Sequence, residues 1–122
     1  MSAEFEHINL EYLEHMTEGD RALERDMLHV LVKELRVEIP KMRTLHGAAK
    51  WRELAEVSHR LKTSLAYAGS AALTKTNGEI ELIASRGTGV ETLGVLLAGL
   101  EAALPPILAE LQVAAARLGE DP

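Results

Sequence analysis

Apolar residues recur along this chain at the three-and-four spacing of helices, and almost no stretch carries a strand signal. A short first helix is predicted from Asn9 to about Glu18, with Asn9 as cap and Leu10, Leu13 and either Met16 or Tyr12 facing inward. Gly19 and Asp20 separate it from a long helix, about Arg21 to Leu45, capped by Asp20. Its stripe of Leu23, Met27, Leu31 and Leu35 is widened by Leu28, Val32, Ile39 and Met42. Pro40 should bend it, because proline removes a backbone donor and crowds the preceding turn. The run His46-Gly47-Ala48-Ala49 reads as a turn in which Gly47 supplies a positive φ.

The third helix, Trp51 to Ala68, shows the clearest sidedness. At about 100° per residue, Val57, Ser58, Leu61, Leu65 and Ala68 all fall within roughly 60° of Leu54, an apolar stripe with one small polar member. Trp51 opens the helix as a core anchor. Gly69 and Ser70 end this helix and cap the next, about Ala71 to Ala84. Asn77-Gly78 inside that segment has the form of a hairpin turn. The helical spacing of Leu73, Ile80, Ile83 and Ala84 overrides it, leaving a helix weakened by about 1 kcal/mol at the glycine. After the loop Arg86 to Gly89, Thr88 and Glu91 have capping-box spacing, and a last helix runs to about Leu118. Its stripe is Leu93, Leu97, Leu100, Leu104, Leu108 and Leu111, with a kink or break expected at Pro105-Pro106. The expected fold is all-α: an up-and-down antiparallel four-helix bundle with a short additional N-terminal helix, one domain over residues 1–122.

Composition narrows the chemistry. A chain of 122 residues can bury roughly two-thirds of its unfolded surface without covalent staples. It has no cysteine, which removes disulfides, thiol chemistry and zinc fingers. The net charge of −6 argues against general nucleic-acid binding. The first residues are acidic and lack the basic start and apolar run of a secretory signal. The most apolar region, Leu93 to Leu111, carries Glu101, Glu110 and two prolines, so no membrane span is expected. A soluble cytoplasmic protein follows as the expectation. Basic residues gather at Lys33, Arg36, Lys41, Arg43, Lys50, Arg52, Arg60 and Lys62, a patch able to steer an acidic partner or simply a solvated surface.

Candidate chemistry sits on the outside of the third helix. His59 lies roughly 140° from the centre of the apolar stripe, with Arg52 beside it and Lys62 toward the boundary. Ala55 and Ala66 share its outer strip, so the imidazole stands among short side chains, open to a large partner. Lys62 at i+3 can reach an anion formed on the ring. A solvated histidine beside an ordinary lysine is the plain alternative.

The spacing decides between them. His59-x-Leu61-Lys62, Gly69 ten positions after the histidine, Leu73 four later and Ile80-Glu81 beyond it resemble the histidine-containing phosphotransfer (HPt) family. The resemblance covers nearly the whole chain, including the short first helix, Gly19-Asp20, the long helix and Trp51. It implies that His59 accepts a phosphoryl group and that Lys62 offsets its charge. Thr63 and Ser64 are phosphoryl or docking contacts, with Ala55, Ala66, Arg52 and Gly69 around them, Gly69 being chiefly structural. One departure is Thr63, where the family usually has glycine; its side chain is expected to crowd a docking partner or to hydrogen-bond a phosphoryl oxygen. The implied partners are response-regulator receiver domains, with a hybrid sensor kinase as a further one. The implied Mg²⁺ comes from the receiver, none being intrinsic. A free-standing monomeric carrier without autokinase activity is expected.

Two other readings stay open. Glu4-x-x-His7 and Glu56-x-x-His59 have the spacing of di-metal carboxylate bundles, although those ligands must point inward. A phosphorylation-independent adaptor, with Thr63 as the altered residue, would keep the docking surface alone. Of the remaining histidines, His29 is expected at the core boundary and His7, His15 and His46 at solvated helix ends.

Overall fold

The computed structural model describes residues 5–119. Among them are five helices and no strand: α1 Glu11–Thr17, α2 Arg21–Gly47, α3 Trp51–Ala68, α4 Ala71–Arg86 and α5 Leu93–Leu118, the last entered through a 3₁₀ turn at Val90–Thr92. Connections of two to six residues make successive long helices run antiparallel. α3 packs on α4 and α2 on α5, while the α2–α3 and α4–α5 seams close the square. Short α1 lies across α2 and α3.

Caps form where short polar side chains stand before helices. Asp20 and Ser70 accept from the amides of Leu23 and Leu73 at 3.0 and 3.2 Å. At α1 the cap position falls on Leu10 and not on the expected Asn9, one residue earlier, whose Oδ1 accepts from the Glu11 amide at 2.9 Å. The Thr88 capping box does not form; neither Gly89 nor Thr92 makes a side-chain cap. Instead Thr92 Oγ1 donates to the Gly89 carbonyl at 2.7 Å, within the 3₁₀ turn. The turn after α2 also differs. Gly47 stays helical and Ala49 takes φ +56°.

Gly69 has a stronger requirement. At φ +66° it ends α3, and a Cβ there would collide with the Asn9 carbonyl, because the Asn9 amide donates to Ala68 O at 3.1 Å. This contact seats the start of α1 on the end of α3.

The α3 stripe is buried as expected: Leu54, Val57, Ser58, Leu61, Leu65 and Ala68. α4 is continuous through Asn77-Gly78 and buries Leu73, Ile80 and Ala84. The α2 stripe is rotated from the expected one. Leu28, Leu31, Val32, Leu35, Ile39 and Met42 are buried, Leu23 is exposed and Met27 half-buried. α2 packs against α1, α3 and α5, so its buried arc is set by three neighbours and not by its first leucine. In α1, Leu10 and Leu13 turn inward while Tyr12 and Met16 are exposed, Tyr12 stacking on Tyr67 with centroids 5.4 Å apart.

The prolines interrupt neither helix. The carbonyls they deprive of partners, at Arg36, Glu101 and Ala102, lie at exposed or half-buried positions where water can replace the lost donor. Beyond Pro106 the buried stripe of α5 passes to Ile107, Leu111, Ala114 and Ala115, leaving Leu104 and Leu108 half-buried. Because α5 is unbroken, the segment Val90–Leu118 is long and apolar enough to cross a membrane, contrary to the expectation from its prolines. Here α5 packs on α2 and α4, and its carboxylates are paired, Glu101 with Arg43 at 2.6 Å and Glu110 with His7 at 2.6 Å.

Candidate functional site

His59 stands on α3 with its side chain 68% exposed. The register of the neighbouring helix gives it a partner: Glu81 on α4 meets its Nδ1 at 2.8 Å through Oε2. The other oxygen, Oε1, lies 3.0 Å from Lys62 Nζ. One carboxylate, itself 20% exposed, thus joins the imidazole and the ammonium one helical turn further on. Burial pushes the Glu81 carboxyl up, but hydrogen bonds from Lys62 and His59 outweigh it and hold the group below the ordinary carboxylate value. An ionised carboxylate only accepts, so Nδ1–H donates to it, and in the neutral ring the lone pair is then at Nε2.

An open groove of about 810 Å³ borders the imidazole between α3 and the end of α4. Arg52, Arg60 and Arg86 lie along it, and Ala55 forms part of its wall. Ala55 is buried, contrary to its expected place on the outer strip, because it faces the α4 seam; Ala66 is exposed. Thr63 is exposed on the turn after His59. Ser64 turns away from the imidazole toward α2, where its hydroxyl donates to Glu34. Gly69 lies at the far end of α3 against Asn9. Of the residues expected around the phosphoryl group, His59, Lys62 and Arg52 share one side; Ser64 and Gly69 do not join them.

The basic cluster of the sequence divides in three dimensions. Lys33 and Arg36 line a groove between α2 and α5, Arg43 pairs with Glu101, and Arg60 reaches Glu38 at 3.2 Å. Residues near in sequence on a helix point to different seams. Arg86, from α4, is the cation that sequence proximity missed.

Of the other histidines, His29 and His46 depart from expectation, while His7 and His15 are exposed as expected. His29 is exposed in the α2–α5 groove. His46 is half-buried against Trp51, ring centroids 5.8 Å apart, and His7 is held by Glu110. His15 is exposed. The di-metal arrangement finds no support in this geometry, since Glu56 and His59 both face outward; Glu4 lies outside the described residues. Among the described residues no three acidic, histidine or cysteine side chains group as a metal site.

Glu81 is the site residue whose role the sequence left unread, although it closes the spacing pattern. Its signal is its place on the helix antiparallel to α3. The geometry agrees with a comparison against known families, in which the Hpt domain matches residues 26–118, covering nearly all of α2 and the three helices after it. The chain belongs to the Hpt domain family. Hpt domains carry phosphoryl groups on histidine in two-component phosphorelays and interact with receiver domains. They are phosphotransfer carriers. No curated protein and no solved structure matches the chain.

Proposed function

We propose that this Hpt domain is a phosphorelay carrier that takes its phosphoryl group on Nε2 of His59 from a receiver-domain phosphoaspartate and passes it to another receiver. The observation behind the reading is the exposed imidazole with Nδ1 engaged by Glu81. In the transfer, the Nε2 lone pair forms an N–P bond while the acyl-phosphate P–O bond breaks and the aspartate leaves as carboxylate. No proton moves, so the ring becomes a phosphoimidazolium. Glu81 faces the positive charge that develops at Nδ1–H, and Lys62 lies where it can offset part of the phosphoryl dianion.

Phosphoryl transfer also needs a clamp of cations around the reacting oxygens. Mg²⁺ in the receiver's aspartyl pocket supplies it, and Arg52 and Arg86 beside the groove complement that acidic pocket. Transfer runs between two receivers, or from a hybrid sensor kinase to a downstream regulator, without autokinase activity of this chain. A cytoplasmic monomer suits that role.

The test is incubation with a phosphorylated receiver and Mg²⁺. Acid-labile label should appear on the wild-type chain and be absent from His59→Gln, whose thermal midpoint stays within about 2 °C of wild type, as expected for an exposed side chain. A receiver that binds without transferring label would instead make the chain an adaptor.

A further inference from the structure

Ser58 is the one polar residue in the buried stripe of α3, and Asn77 occupies the matching stripe of α4. Both are sealed from water, at 0% and 1% exposure. Ser58 Oγ lies 2.7 Å from Asn77 Oδ1 and 2.9 Å from the Asn77 backbone carbonyl, so its single proton is shared between two acceptors. Asn77 Nδ2 donates in return to the Ser58 carbonyl at 2.9 Å. Satisfied buried polar groups add little net stability relative to apolar side chains of the same shape. What they add is direction, because a hydrogen bond tolerates far less sliding than a hydrocarbon contact.

The two carbonyls involved are not arbitrary. By the i to i+4 pattern of a helix, the Ser58 carbonyl faces the amide of Lys62 and the Asn77 carbonyl faces the amide of Glu81. The reciprocal bonds therefore close on the two turns that end at Lys62 and Glu81, whose side chains meet at 3.0 Å. Ser58 also directly precedes His59. Slipping α4 by one residue, about 1.5 Å along its axis, would break the bonds and carry Glu81 away from both partners. Gly78, the residue with least local preference for helix, follows Asn77 immediately, so α4 is tied to α3 beside its weakest point.

We infer that the Ser58–Asn77 pair is a positioning device that fixes the register of α3 on α4, so that the single Glu81 carboxylate engages His59 and Lys62 together. This rests on His59 as the phosphoryl acceptor, but the coupling it describes is readable without any donor.

The experiment uses the full chain and two variants: Ser58→Ala, which removes one oxygen, and Ser58→Ala with Asn77→Leu, which replaces the pair by apolar groups of similar shape. Nitrogen-15 shifts of the His59 ring report which nitrogen holds the proton. The rate of phosphoryl acceptance is read with phosphoramidate, whose P–N bond breaks as Nε2 attacks, ammonia leaving. The double variant should melt within a few degrees of wild type yet lose the preference for protonated Nδ1 and accept phosphoryl about tenfold more slowly. A folded double variant with wild-type ring shifts and rate would overturn the inference. Should that variant not fold, Ser58→Ala decides by the same ring shifts. If the wild type accepts no phosphoryl from either phosphoramidate or a receiver, the carrier reading fails, while the ring shifts still decide the role of the pair.

Discussion

Lys62 Nζ lies 3.0 Å from Glu81 Oε1, so the cation one turn beyond the imidazole is already engaged by the carboxylate that also holds the ring. On the proposed function, an incoming phosphoryl group would share Lys62 with Glu81. The carboxylate that holds the proposed nucleophile would then compete for the cation proposed to stabilise the product.

Separate substitutions resolve those two roles. Lys62→Ala should slow acceptance and shorten the phosphohistidine lifetime without unfolding the bundle. Glu81→Gln keeps an acceptor for Nδ1 but frees Lys62, so the phosphohistidine should last several-fold longer while acceptance slows, since a neutral amide stabilises the charged ring less. Rates of label gain and loss in the two variants check this, and equal lifetimes in wild type and Glu81→Gln would remove Glu81 from the competition.

The pH dependence follows from three carboxylates held below the ordinary value of 4.5. Arg43 lowers Glu101 chiefly by hydrogen bonding; for Glu110, as for Glu81, burial pushes up but its hydrogen bonds, here from His7 and Ile8, outweigh it. A depressed carboxyl contributes stability that is present above its unfolded pKa and lost as pH falls through the folded one. The thermal midpoint should thus decline below about pH 4.5. His7 works in the opposite sense: the Glu110 hydrogen bond raises it above 6.5, so its share is full below that value and lost as pH rises through the raised one. The arm before α1 should therefore be most protected between these limits. Hydrogen exchange at the His7 and Ile8 amides, both donated to Glu110 Oε1, checks it after correction for intrinsic rates. Protection that stays flat from pH 4 to 8 would contradict the pairing.

Gly69→Ala should destabilise the chain by at least about 2 kcal/mol, lowering the midpoint by roughly 6–12 °C. The added Cβ meets both a positive φ and the Asn9 carbonyl, so the start of α1 must lift from α3. Loss of the Ala68–Asn9 backbone bond, seen as faster exchange at the Asn9 amide, is the accompanying signature.

Gly78→Ala should act the other way. Gly78 is exposed in the middle of α4, with nothing within 4 Å of an added Cβ. Alanine there should stabilise the helix by about 1 kcal/mol, raising the midpoint by roughly 3–6 °C. A fall would mean that α4 needs the glycine for a reason outside helix propensity.

α2 and α3 each pack on three helices, yet their sidedness was not equally legible in the sequence. The apolar stripe of α3 is narrow, so a helical wheel placed Leu54, Leu61 and Leu65 inside and His59 outside, although it left Ala55 on the outer strip. α2 carries apolar residues over a wide arc, and the part of it that is buried left Leu23 in water. Pro40 was expected to bend its helix and Pro105-Pro106 to kink or interrupt theirs, because local rules count the full loss of a hydrogen bond; at accessible positions water can take the vacancy, and both helices continue through. Asn77 was visible as a turn signal and hidden as a core residue, since nothing in one helix tells which polar residue of another it will meet.

Helix periodicity, caps and the spacing from His59 to Glu81 are short-range properties, governed by the backbone's own period, and they were present in the chain itself. Tertiary structure alone brought Glu81 onto His59 and Lys62, set Asn77 against Ser58, and sent Lys33 and Arg36 to a different seam from Arg52. Those are relations of register between helices, fixed by packing and hydrogen bonds across seams that no single helix contains.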